Sequence, residues 1–206
     1  MKSFFKNIFT AKSKAEPIFI VSGLPRCGTS MMMQMLEAGG MQVITDHIRE
    51  ADEDNPRGYY EFEKVKKIKE DSSWLDDCHG KVFKMVSALL YYLPNVKECK
   101  IVFMKRKMDE MLTSQNTMLH RQGRRDAVVS DAEMAKKLDK HLLRLETWLA
   151  KQRNLNVIYI NYNSVIENAL KNAKTVAQFL NLPMDIDKMV KAVESSLYRQ
   201  KTVSGT

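Results

Sequence analysis

The sequence predicts an α/β fold, a three-layer arrangement in which a mostly parallel central sheet is flanked by helices. Two observations predict it. Apolar runs of strand length recur at 18–21, 42–44, 82–86, 101–104 and 157–160, separated by stretches of helical character. The first run also ends in a glycine-bounded turn that leads directly into a helix, the context a phosphate-binding loop requires. At 206 residues the chain suits one core and is short for two. We therefore expect an extension over 1–16 and a single domain over 17–206.

The extension mixes Lys2, Lys6, Lys12 and Lys14 with Phe4, Phe5, Ile8 and Phe9. It lacks the continuous apolar stretch and small-residue cleavage site of a secretion signal, so a retained, basic, amphipathic segment is expected, suited at most to weak membrane contact. Next, Ile18–Val21 forms the first strand, and Met31, Met32, Met35 and Leu36 form the buried face of the first helix. Gln42–Ile44 is a short second strand; Val82–Val86 and Ile101–Met104 follow. Met134, Leu138, Leu142, Leu145 and Leu149 recur at helical spacing and mark a covering helix. After the strand at Val157–Ile160, a helix over Val165–Leu180 stops at Asn181 and Pro183.

Composition excludes several classes of function. The chain is 44% hydrophobic and 28% charged, without repeats or an apolar run long enough to span a bilayer. Cys27, Cys78 and Cys99 are odd in number and lack metal-ligand spacing, which predicts neither disulfides nor structural zinc and fits a reducing cytoplasm. The net charge of +8 favours anionic partners. Its basic residues are dispersed and accompany no stacking-aromatic motif, so nucleic acid is not expected among them.

Gly23 and Gly28 bracket Leu24-Pro25-Arg26-Cys27, and Thr29-Ser30 follow. Glycines at this interval let the backbone turn several N–H groups inward, while the next helix adds partial positive charge and the hydroxyls add donors. A Walker-type P-loop carries lysine after the second glycine; here Thr29 stands there, and the only cation is Arg26. The strand ends "FMKR" and "YINYN" offer no acidic magnesium ligand of the kind nucleotide kinases use. A phosphate-bearing donor used without a metal is the expected ligand.

At these residues the chain resembles the sulfotransferases that use 3′-phosphoadenosine 5′-phosphosulfate (PAPS), especially the bacterial and Golgi-type branch with a Pro-Arg-Ser-Gly-Thr-Thr loop. Cys27 stands in place of the serine. The resemblance spans about residues 17–200 and implies a P-loop fold. It implies that Pro25, Arg26, Cys27, Gly28, Thr29 and Ser30 hold the 5′-phosphosulfate. It also implies that Arg106 and Ser114, eight residues apart in "RKMDEMLTS", hold the 3′-phosphate. An arginine at a strand tip and a hydroxyl two turns into the next helix can converge on one oxyanion. Tyr162 matches the family tyrosine near adenine, although Asn163 and Ser164 replace its acidic pair, and Arg199 matches a basic residue that closes over the nucleotide.

In-line sulfuryl transfer to a hydroxyl or amine of a small-molecule or peptide acceptor depends on positioning and charge stabilisation. Arg26, Thr29 and the loop amides are expected to meet the charge of the leaving phosphate, and the resemblance assigns a second cation to Lys84. Val86 excludes the histidine base of cytosolic members. The glutamate base of the other branch leaves Asp46, His47, Glu50 and Glu61 as candidates. Asp46, at the end of the short second strand, comes first; Glu61, beginning a helix after Pro56-Arg57-Gly58, comes second. Arg121, Arg124 and Arg125 flank a glycine and could grip nucleotide or acceptor. The alternatives are a P-loop nucleotide kinase and a non-catalytic nucleotide-binding protein.

Overall fold

The computed structural model describes residues 16–46, 48–52, 55, 58–95, 97–123 and 129–193. The extension up to residue 15, His47, Arg124, Arg125 and Arg199 lie outside them.

Four strands form one sheet in the order β2-β1-β3-β4, every pair parallel. They are β1 (Ile18–Gly23), β2 (Val82–Val86), β3 (Cys99–Lys105) and β4 (Leu155–Asn161). β1 is buried along its whole length, as expected of a central parallel strand covered on both faces. Its side chains alternate: Phe19 and Val21 join the core under one layer of helices, Ile18 and Ile20 the core under the other.

Helix α1 (Thr29–Ala38) lies on the first face, with α5 (Tyr162–Glu167), α6 (Ala169–Leu180) and α7 (Ile186–Lys191). The second face carries α4 (Asp131–Leu149), the one-turn α2 (Glu63–Lys66) and a 3₁₀ turn holding Trp74 and Leu75. Helix α3 (Met108–Arg121) leaves the end of β3 and packs against Leu24 of the loop. The connection from β1 leads to β2 and that from β3 to β4, on opposite sides, so a switch point lies between β1 and β3 at their carboxyl ends, where open α/β sheets bind ligands.

Two expected elements differ. Gln42–Ile44 contributes one bridge, Val43 to Val82, because the chain then leaves the sheet to bond the Glu61 carbonyl through Asp46 N (3.1 Å) and Thr45 Oγ1 (2.9 Å). The segment Val165–Leu180 breaks at Asn168, whose side chain accepts from Lys171 N and caps α6. Asn181 ends α6 in a left-handed conformation, φ 57°, two residues before Pro183. Ser130 caps α4 through Glu133 N, and Leu145 and Leu149 of the expected apolar stripe are buried. No helix of the described residues is long and apolar enough to cross a membrane.

Candidate active site

The loop from Gly23 to Ser30 sits at the switch point. Gly23 (φ 152°) cannot be replaced without conflict, because a Cβ would lie 2.6 Å from the Met104 carbonyl oxygen and collide with Cys27 Sγ. Gly28 (φ 93°) caps α1 without a side-chain acceptor, and no acidic residue occupies the first turn, so the helix presents its positive end unneutralised. A Cβ at Gly28 would strike the Tyr162 ring, so this glycine is what allows the tyrosine to lie against the loop.

Arg26 adopts φ 67°, a left-handed conformation that costs a non-glycine residue about 1–2 kcal/mol. The turn sends its side chain across to α3, where Nε donates to Ser114 Oγ at 3.1 Å. Arg106 meets the same loop from β3: its Nη1 donates to the Arg26 carbonyl at 3.1 Å, and its guanidinium lies 4.5 Å from the Tyr162 ring centroid. Glu110, with a 1% exposed side chain, holds Arg106 Nε at 3.2 Å and accepts from Asn163 Nδ2 at 3.0 and 3.1 Å. Charge and hydrogen bonds thereby converge from four separate segments.

Lys84 lies on the α1 face of the edge strand β2, in register with Val21, and its half-buried side chain lines the cavity rather than standing in bulk water. Its Nζ donates to the Tyr59 carbonyl and to Ser30 Oγ (3.5 Å). Burial pushes the ammonium down to about 8, Arg49 and Arg26 add to the effect, and Glu61 opposes it.

Pro25, Arg26, Gly28, Thr29, Ser30, Glu61, Lys84, Arg106, Ser114 and Tyr162 all line one cavity of about 490 Å³, with Arg121 at the end of α3. Cys27 does not. Its buried thiol donates to the Leu24 carbonyl at 2.7 Å, and burial raises it to about 12, so the side chain shapes the loop from behind as a neutral group.

The two leading acids part company. Asp46 directs its carboxylate to Glu63 N (2.5 Å) and Ile48 N (3.1 Å), and these backbone donors outweigh burial and keep it below the usual carboxylate range. It serves as a local cap outside the cavity lining, because the missing strand lets the chain curl back at this point. Glu61 does line the cavity. It precedes α2 rather than beginning it, since Phe62 is the N-cap. Burial raises the Glu61 carboxyl, but Arg49 (2.9 Å), the charge of Lys84 and Lys66 (3.3 Å) hold it low overall. Glu50 is exposed and off the cavity.

Arg49, Asn55, Tyr59 and Lys66 also line the cavity, although sequence reasoning treated most of this stretch as a solvated charged loop. The one available cue was the pair Tyr59-Tyr60 after Asn-Pro-Arg-Gly, aromatic residues following a turn. Among the described lining residues six side chains are cationic and one is a carboxylate.

Fold and site together define a P-loop protein built to hold a polyanion by amides, hydroxyls and guanidinium groups. Residues 16–204 match the family model for the sulfotransferase domain, and the chain belongs to that family. Among solved structures, a mouse sulfotransferase, SULT7A1 complexed with PAP, aligns with TM-score 0.59 and 15% identity over 92% of this chain and 69% of its own. The sulfotransferase domain from the curacin biosynthetic pathway aligns with TM-score 0.52 and 13% identity over 88% of this chain and 79% of its own. No curated protein matches the sequence significantly.

Proposed function

We propose that the protein, as one domain over 17–206, transfers a sulfuryl group from PAPS to a hydroxyl or amine of an acceptor molecule. The observation that carries the reading is Arg26 turned inward onto Ser114, which joins the loop, Arg106 and Tyr162 into one anion-binding surface. The lining fits the donor: a cation-rich set with hydroxyls at Thr29, Ser30 and Ser114 suits a nucleotide with two separate phosphate groups.

The donor supplies a sulfuryl group carried on a nucleotide phosphate. Arg26, Thr29 and the amides at the head of α1 bind that phosphate and meet the charge that grows on it as it leaves. Lys84, held between Ser30 and the Tyr59 carbonyl, retains a third N–H to direct at the same region. Arg106 and Ser114 bind the 3′-phosphate, with Glu110 keeping the guanidinium in place, and Tyr162 offers its ring to the base. Glu61 receives the proton of the acceptor as its oxygen or nitrogen bonds to sulfur and the bond from sulfur to phosphate oxygen breaks. Asp46 takes no part. Buried, unpaired cysteines suit a reducing cytoplasm as the place of action.

Thermal shift with adenosine 3′,5′-bisphosphate against ATP plus magnesium tests the reading, because a ligand specific to the folded pocket raises Tm. A shift with the bisphosphate and transfer of label from ³⁵S-PAPS are expected. A shift only with ATP plus magnesium would replace this reading with a kinase.

A further inference from the structure

We infer that the acceptor is an amphipathic alcohol or phenol bearing an anionic group, and that Arg49 is the residue that receives the anion. The inference rests on the sulfotransferase reading and names the substrate class of the same site.

The sheet order divides the cavity. Arg26, Arg106 and Ser114 gather on the β3 side of the loop, and Lys84 comes from β2 on the other. Beyond Lys84 the wall is apolar, with Phe62, Val65, Met85 and Leu89, a surface for a ring or hydrocarbon body rather than for a bare sugar.

At the edge of this apolar wall Arg49 is already ordered. Its guanidinium carbon lies over the Tyr59 ring, 3.3 Å from the centroid. Tyr59 is pinned in turn: its hydroxyl donates to Asp52 at 2.7 Å and its carbonyl accepts from Lys84 and Ser30. Glu61 engages Arg49 Nη1 at 2.9 Å; Nε and Nη2 have no acceptor among the described residues, and the side chain is 37% exposed. A guanidinium fixed in orientation with part of its fork unused matches an oxyanion, and little entropy remains to be lost on binding one.

The same geometry disfavours a cationic acceptor. Glu61 is the one carboxylate among the described lining residues, and it is already bonded to Arg49 and Lys66. Glu63 pairs with Lys66 at 2.5 Å and shares it with Glu61, whereas Arg49 gives Glu61 only Nη1 and keeps the rest of its fork open on this side. An ammonium group would face Arg49 and Lys84, and among the described lining residues the one carboxylate already answers Arg49 and Lys66.

The test uses three matched phenols: 4-hydroxyphenylacetate, its neutral amide and tyramine. Each is titrated calorimetrically into the full chain saturated with adenosine 3′,5′-bisphosphate, and each is assayed for label transfer from ³⁵S-PAPS. The carboxylate is expected to bind about tenfold or more tightly than the amide, the effect of one charged hydrogen-bonding partner, and tyramine least of all. In Arg49→Met that ratio falls to within about twofold; because a ratio is read, a general loss from disturbing Glu61 cancels. Equal binding of carboxylate and amide, preference for tyramine, binding of none of the three, or a preference that survives Arg49→Met overturns the inference. If the bisphosphate binds while the anion preference is missing, only this inference fails; if wild-type protein does not bind the bisphosphate, the sulfotransferase reading fails and takes it along.

Discussion

Replacing Lys84 with methionine should make the ligand-free protein more stable at neutral pH while removing its activity. The ammonium is buried beside Arg26 and Arg49, and its pKa falls from 10.5 to about 8. At about 1.4 kcal/mol per tenfold change in the proton equilibrium, keeping this lysine charged in the fold costs about 3 kcal/mol. Methionine removes that cost but leaves the Tyr59 carbonyl without the lysine donor, a loss of about 1 kcal/mol. A net gain of about 2 kcal/mol remains, which in a domain of this size raises Tm by about 4–8 °C. The pH dependence has a definite sign. Below pH 8 both folded and unfolded wild type carry the proton and the cost is fully present; between 8 and 10.5 the folded protein has released it and the unfolded chain has not, so wild-type stability climbs; above 10.5 the cost vanishes. Urea unfolding of both proteins from pH 6.5 to 10 measures it, and the advantage of Lys84→Met should shrink as pH rises through 8. A variant less stable than wild type at pH 7, or a difference that ignores pH, would refute the picture of a strained, buried ammonium waiting for an anion.

Two further substitutions separate roles. Glu61→Gln should lower kcat about 10²–10⁴-fold with bisphosphate affinity retained, whereas Asp46→Asn should cost about 1 kcal/mol of stability as a weakened cap and leave turnover near wild type; calorimetry and label transfer measure both. Arg106→Met takes the cation from the buried Glu110 carboxylate and leaves it the Asn163 amide, which should destabilise the fold by about 3 kcal/mol in urea unfolding, and bisphosphate binding should be lost along with it.

Sequence order alone settled what is local or periodic. Gly23 and Gly28 mark the loop because only glycine tolerates those dihedrals and close approaches, and near-continuous apolar runs of strand length mark β1 to β4 because the strands of a parallel sheet are covered by helices on both faces. Arg106 and Ser114 were legible for the same reason, since one strand tip and the helix after it set their spacing. What only the tertiary structure decided involves partners distant in the chain. Arg26 reaches Ser114 across 88 residues, Lys84 is buried by Tyr59, and Glu61 rather than Asp46 enters the cavity. The last turns on whether a three-residue apolar run pairs fully with β2, and a single bridge forms instead because Asp46 N and Thr45 find the Glu61 carbonyl. Competition of that kind is decided by hydrogen bonds between segments that no local pattern records, and it is these bonds that bring Arg49, Tyr59 and Glu61 to the cavity wall.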